Sequence, residues 1–255
     1  MPLEILTVPC LSDNYAFLLH APQSGFTVLV DAPEAAPIQQ MLESRGWTLD
    51  QIWLTHHHWD HVDGVEELRQ RHGASVVGAK ADRHRLPPLD LEVEDGSNFS
   101  VSGEDVHVMD VSGHTVGHIA YYLPASKVVF TADSLMALGC GRLFEGSAQQ
   151  MWTSLSKLAA LPDDTLVCSG HEYTQANGKF AETIEPGNAE LQTRIAEIAQ
   201  ARATGTPTVP STLALEKATN PFLRPAEPEI QEKLGLKGAD PATVFTEIRL
   251  RKDNF

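Results

Sequence analysis

Seven consecutive residues, Thr55-His56-His57-His58-Trp59-Asp60-His61, hold four histidines and one aspartate. Imidazoles this close repel one another when protonated and waste hydrogen bonds when buried, unless a cation collects their lone pairs. His56 and His58 occupy alternate positions just after the apolar run Ile52–Thr55. In an extended backbone that puts both side chains on one side, as chelation requires. Asp60 and His61, just beyond, can face a second cation. Three further candidate ligands, His114, Asp133 and His171, each closely follow a β-branched run. Gly113, Gly117 and Gly170 stand beside them, where a chain leaving a sheet sharply needs a permissive backbone. Seven ligands are too many for one tetrahedral ion. They point to two divalent ions and metal-assisted hydrolysis, because water held between two such cations has its pKa lowered from about 15.7 towards ~7.

The elements that must position these residues are legible as runs and periods. Phe26–Val30, Ile52–Thr55, Ser75–Gly78, Val106–Val111, Val128–Thr131 and Thr165–Cys168 read as buried strands, and the chain's first eight residues as a further strand-like stretch. Ligands at the same end of several strands converge on one edge of a sheet, the expected place for a site in an α/β architecture. Helices are predicted over Ala35–Arg45, Val65–His72 and Ala148–Ala160. From about Glu172 the texture turns helical, with Asn188–Ala203 capped by Asn188, then Ser211–Thr219 and Pro241–Arg251. No strand is expected in that part.

The 255 residues suffice for one large domain, or for one domain and a smaller one. No apolar run approaches the ~18–20 residues of a membrane span. The first residues lack a basic start and an apolar signal core, so export is not expected. Cys10, Cys140 and Cys168 are widely spaced and odd in number, which reads as reduced thiols in the cytoplasm. A net charge of −15 argues against a nucleic-acid partner. A basic cluster, Arg249 with Arg251 and Lys252, ends this acidic chain.

The motif H-x-H-x-D-H at His56–His61, followed in order by a histidine, an aspartate and a histidine, resembles the metallo-β-lactamase superfamily. Other segments narrow the likeness: Gly113–His118 as G-H-T-x-G-H, Thr131–Gly146 as T-A-D-S-L-M-A-L-G-C-G-R-L-F-E-G, and Gly170–Thr174 as G-H-E-Y-T. With Asn220–Arg224 as N-P-F-L-R and the terminal Arg-x-x-Lys-Asp-x-Phe, they resemble the glyoxalase II family, the hydroxyacylglutathione hydrolases. The resemblance implies an α/β fold: a four-layer αβ/βα metallo-β-lactamase sandwich over residues 1–171, then a small all-helical glutathione-binding domain over 172–255. It implies one metal on His56, His58 and His114, and another on Asp60, His61 and His171. Asp133 and a hydroxide would bridge them, the hydroxide being the nucleophile. The ions would be zinc, with iron or manganese as alternatives. The activity implied is hydrolysis of S-D-lactoylglutathione to D-lactate and glutathione, the second step of methylglyoxal detoxification, by a monomer that needs neither nucleic acid nor membrane.

Arg142, Phe144, Tyr173, Arg249 and Lys252 match the family's substrate-contact positions. Arg142 stands where a lysine is common, which keeps the charge; Phe144 stands where a tyrosine can occur, which removes a hydroxyl. Asp31 and His118 are expected to orient ligand imidazoles rather than bind metal. His57 should point away from the metals by alternation, and Trp59 is expected to pack. Cys140, between two glycines, lacks a base by spacing and is not expected to act as a nucleophile. Among rivals, a β-lactamase proper would need export, and an RNA-processing nuclease conflicts with the charge. A persulfide dioxygenase would use a single iron and lack the helical tail. A flavodiiron-type redox module would carry a flavin domain that is missing here.

Overall fold

The computed structural model describes residues 3–255; Met1 and Pro2, part of the expected N-terminal strand, lie outside the described residues. Internal contacts divide the chain into two compact units. The first takes in the residues up to Asp110 together with Val116–Ala132. Its first sheet is formed by β1 (Glu4–Cys10), β2 (Asn14–His20), β3 (Thr27–Val30), β4 (Gln51–Trp53), β5 (Ser75–Ala79) and β6 (Leu91–Val93), adjacent in that order. The pairs β1/β2 and β2/β3 are antiparallel, and the rest are parallel. Strands β2 and β3 are buried along their whole length, which is why β3 reads as a continuous apolar run rather than an alternating one. Three helices follow these strands: α1 (Ala35–Arg45), the single turn α2 (Trp59–Val62) and α3 (Val65–His72). Helix α1 buries Ala35, Ile38 and Leu42 at helical spacing and ends on Gly46 in the left-handed conformation.

An antiparallel meander completes this unit: β7 (Asn98–Val101), β8 (Glu104–Asp110), β9 (Ile119–Leu123) and β10 (Val128–Ala132). It packs face to face on the first sheet. Phe17 and Phe130 rings meet at 5.5 Å, Trp53 and Tyr121 at 5.1 Å. The fully buried Tyr121 donates its hydroxyl to the Leu54 carbonyl at 2.9 Å, so its burial leaves no unsatisfied polar atom.

The second unit comprises Val111–Thr115 and Asp133–Phe255. It holds a tight hairpin, β11 (Leu135–Met136) with β12 (Gly139–Cys140), then α4 (Ala148–Ala159) and β13 (Leu166–Ser169). There follow α5 (Thr174–Ile184), α6 (Ala189–Ala203), β14 (Ser211–Thr212), α7 (Leu213–Thr219), α8 (Pro228–Leu234) and α9 (Pro241–Asp253). Ser147 and Gln150 close a capping box on α4, and Asn188 caps α6 as its sequence predicts. Ser154 Oγ donates to the Ser112 carbonyl at 2.7 Å, tying the short segment 111–115 to α4. Gly113 is required there: its φ is 154°, and a Cβ would lie 2.7 Å from that of Met151.

The hairpin turn carries Leu138 at φ 56°, a conformation that costs a non-glycine residue about 1–2 kcal/mol. Its side chain is fully buried against Ala181, Leu191 and Ile198. Burial of a leucine contributes about 1.5–3 kcal/mol, so packing wins and the strained turn is held.

Several elements differ from the sequence reading. Ser211–Thr212 is not the first turn of a helix but a strand paired with Leu166 and Val167, and α7 begins only at Leu213, capped by the Thr212 side chain. Two residues cannot show a period, so only the partner strand reveals this one. Helix α5 is unforeseen because Asn177 and Gly178, poor helix formers, occupy its middle, where packing overrides propensity. Helix α8 is too short for a period, although Pro228 at its start and Gly235 at its end are end signals. No described helix is long and apolar enough to cross a membrane.

Candidate active site

In the first unit, β3 ends at Val30 and places Asp31 directly after it, with φ 56°. Strand β4 ends at Trp53, and His56 and His58 leave on the loop that α2 continues. Helix α2 turns the chain so that Asp60 and the fully buried His61 follow within one turn. The His56 ring lies 4.8 Å from that of His58, 4.2 Å from that of His61 and 4.6 Å from that of His118, on which it stacks. Donor atoms of Asp31, His56 and His61 all come within 4.8 Å of one another.

The hydrogen bonds around these rings decide their chemistry. Asp31 Oδ1 accepts from the Thr55 amide at 2.9 Å, and Oδ2 accepts from the Thr55 hydroxyl at 2.8 Å and from His61 Nδ1 at 2.8 Å. The Thr55 hydroxyl proton is thus spent on Asp31, so its oxygen accepts from His56 Nδ1 at 3.0 Å. One carboxylate holds His61 directly and His56 through Thr55. Both rings carry their proton on Nδ1, and Nε2 is the coordinating atom, the arrangement by which outer partners fix metal-binding histidines. Asp31 thus bonds to the Thr55 amide and hydroxyl and to His61 Nδ1 at once. His118 stacks on His56 and donates Nδ1–H to the Ile119 carbonyl at 3.1 Å.

In the second unit His114 gives Nδ1–H to the Arg142 carbonyl at 2.7 Å, which again assigns Nε2 to coordination. That Nε2 lies 3.4 Å from Asp133 Oδ2, and His171 Nε2 lies 3.3 Å from the same oxygen. All three residues are buried. An imidazole lone pair aimed at a carboxylate oxygen is repulsive unless a cation lies beside them, so this donor set fits divalent metal.

Of the residues expected to contact substrate, Phe144 stands beside His114 and Tyr173 beside His171. Phe144 is 61% exposed with its ring 5.3 Å from that of His114, and Tyr173 is 40% exposed and stacked on His171 at 4.6 Å. Arg142 extends into solvent, its Nε 3.7 Å from Asp253. Arg249 is only 5% exposed: it donates to the Cys140 carbonyl at 3.0 Å and twice to Asp253, and it lies over the Phe222 ring. The Lys252 ammonium sits over the rings of Phe180 and Phe255. Burial, and next the Arg249 charge, lower its pKa below the ordinary lysine value. The basic end is therefore packed rather than a solvated tail. Cys10, Cys140 and Cys168 are all buried thiols. Burial pushes the Cys140 thiol up to about 11 in spite of Arg249, which leaves it a poor nucleophile.

Trp59 does not pack as expected; it is 63% exposed, because the one-turn α2 has no outer layer over its first residue. His57 bonds to Asp82, with Nδ1 3.2 Å from Oδ2, while its ring stays 5.0 Å from that of His58. Two residues of this site escaped the sequence reading. Asn14 donates to both the carbonyl and the carboxylate of Asp60, at 2.9 and 3.1 Å. Asp82 holds His57 and Arg85, and it leaves no room for a side chain at Gly117, where a Cβ would lie 2.7 Å from the carboxyl. Neither residue stands near a ligand in sequence, and neither belongs to a motif.

Residues 12–171 match the family described as the metallo-beta-lactamase superfamily, and residues 172–255 match the family described as hydroxyacylglutathione hydrolase C-terminus. The chain is 71% identical to the hydroxyacylglutathione hydrolase of Ruegeria pomeroyi and 61% identical to that of Roseobacter denitrificans, over the whole of this chain and of each relative. Among solved structures it resembles ETHE1 from Myxococcus xanthus, with a TM-score of 0.67 and 26% identity, covering 99% of this chain and 92% of that one. Matched along its full length by these relatives and over residues 12–255 by the two family models, the chain belongs to the hydroxyacylglutathione hydrolase family and has the metallo-β-lactamase fold.

Proposed function

We propose that this chain hydrolyses S-2-hydroxyacylglutathione thioesters, S-D-lactoylglutathione foremost, to the hydroxy acid and glutathione. Residues 1–171 supply the catalytic part and 172–255 the part that holds glutathione. In this reading His56, His58 and His114 would hold one cation, Asp60, His61 and His171 would hold another, and Asp133 would serve as a ligand to both. The observations that carry it are the anchoring of His56, His61 and His114 through Nδ1 and the approach of the His114 and His171 Nε2 atoms to one Asp133 carboxylate oxygen. Two divalent cations, zinc or alternatively iron or manganese, would make hydroxide accessible at neutral pH and polarise the thioester carbonyl.

The protein's own groups do the rest. Asp31 and the Arg142 carbonyl keep the coordinating rings in one tautomer, so no proton must be shed when metal binds. The exposed rings of Phe144 and Tyr173 offer apolar walls beside the ligands, and the cations of Arg142 and Lys252 suit the two carboxylates of glutathione. Cleavage of the acyl carbon–sulfur bond releases a thiolate whose conjugate acid has a pKa near ~8.5. It needs little help from a general acid, which fits a site made of ligands without a separate acid–base pair.

Thiol release from S-D-lactoylglutathione by purified protein, with metal analysis of the same sample, tests the reading. Release of one thiol per acyl group hydrolysed is expected. Oxygen uptake from a glutathione persulfide without thioester cleavage would overturn it in favour of a mononuclear-iron dioxygenase. We place the enzyme, as a monomer, in the cytoplasm, where its buried thiols stay reduced.

A further inference from the structure

The turn between β11 and β12 is held from outside by three side chains of the helical segments. Asn220 Nδ2 donates to the Met136 and Gly139 carbonyls at 3.1 and 3.0 Å. Glu216 Oε2 accepts the Leu138 amide at 2.9 Å, and Asn177 Nδ2 donates to the Ala137 carbonyl at 3.0 Å. Asn220 and Glu216 are fully buried and also bonded to each other, at 3.1 Å. Glu216 is fixed in turn by Ser211 and Arg194, and Asn220 by accepting the Phe222 amide. The polar backbone groups at the tip thus have partners from α5, from α7 and from the residue after α7.

What this turn carries gives the clamp its meaning. Asp133 lies two residues before the hairpin, Arg142 two residues after it. The chain doubles back so closely that a Cβ on Gly141 would stand 1.9 Å from the Asp133 carbonyl. The Arg142 carbonyl sets His114, and the Cys140 carbonyl receives Arg249. A displacement of the hairpin therefore moves a carboxylate and an imidazole of the metal set together with two cations of the glutathione face.

We infer that Asn220, with Glu216, is a positioning residue that fixes the β11–β12 turn and through it sets metal retention and glutathione recognition together. The inference rests on the functional reading above. It explains why an asparagine in the helical part, touching neither metal nor substrate, is held at a buried position: alanine there would strip two turn carbonyls of their donor.

The test is Asn220→Ala in the full-length holoenzyme. Gln231→Ala serves as a matched control, since Gln231 is also a buried amide that donates to two carbonyls, those of Pro225 and Ala239, away from the hairpin. Zinc retention is measured against a series of chelators, KM is measured for S-D-lactoylglutathione and for a small thioester without glutathione, and Tm is recorded. Loss of an outer partner of metal ligands weakens metal binding by about 10–100-fold. Asn220→Ala should show at least tenfold weaker zinc retention and a several-fold higher KM for the glutathione thioester alone, while Gln231→Ala lowers Tm with both unchanged. A lower Tm for Asn220→Ala with unaltered zinc retention and KM would overturn the inference, and so would movement of only one of the two. Should Asn220→Ala fail to fold, Asn177→Ala, which frees one turn carbonyl, is judged by the same criteria. Failure of the unsubstituted enzyme to cleave the glutathione thioester would overturn the functional reading instead, and zinc retention would still decide the positioning role.

Discussion

Asp31 Oδ2 lies 2.8 Å from His61 Nδ1, and the same oxygen reaches His56 through the Thr55 hydroxyl. One carboxylate without a place in the metal motif thereby sets the tautomer of two rings within it. Asp31→Ala should weaken metal binding by about 10–100-fold and lower activity until excess metal is added. Chelator competition checks the first effect and metal rescue the second. Unchanged metal affinity would remove Asp31 from this role.

Asp133 receives two imidazole nitrogens on one oxygen. Asp133→Asn replaces that anion with a neutral amide, so metal content should fall from about two ions per chain and kcat should drop by orders of magnitude. Elemental analysis of fully active protein decides the count. A steady value of one at full activity would refute the binuclear site.

Lys252 and Arg249 should separate in their effects. Lys252 is half-buried over two phenylalanine rings, and its loss should raise KM for lactoylglutathione about tenfold with little change in kcat, because remote contacts bind ground and transition states alike. Arg249 is a buried strut on Cys140 and Asp253, so Arg249→Ala should in addition lower stability by about 1–3 kcal/mol. Chemical denaturation of both variants, with kinetics on a small thioester, distinguishes binding from folding.

The pH dependence follows from Lys252. Its pKa is lowered, by burial first and by Arg249 second, so its charge is lost at a lower alkaline pH than that of an ordinary lysine. KM should rise with pH over that range, and Lys252→Arg should flatten the rise. The sign for stability is opposite in sense. Between the folded and the unfolded pKa the unfolded chain binds more protons, so this group makes the fold more stable as pH rises. A KM that stays constant until an ordinary lysine titrates would exclude Lys252 from carboxylate binding.

Cys140 sits beside Arg249, yet burial keeps its thiol protonated at neutral pH. Cys140→Ser should retain kcat within a few-fold, and no acyl-enzyme should accumulate in a rapid-mixing experiment. A burst of thiol equal to the enzyme concentration would contradict this.

The candidate metal donors, the strands that precede them and most helices could be read from the sequence. Chelation demands particular residue types at short spacing, and the runs Val128–Thr131 and Val65–His72 declare themselves by their own composition and period. Tertiary structure alone decided the partners. Asn14 reaches Asp60 across 46 positions and Asn220 reaches Met136 across 84, and no local pattern encodes a hydrogen bond over such separations. Burial was equally hidden: the terminal Arg249 is enclosed and Trp59, inside the metal motif, is exposed. A side chain's type limits which bonds it can make, but which neighbours surround it is settled only when distant segments pack, and that packing is what turned separate ligands and cations into sets with defined tautomers and charges.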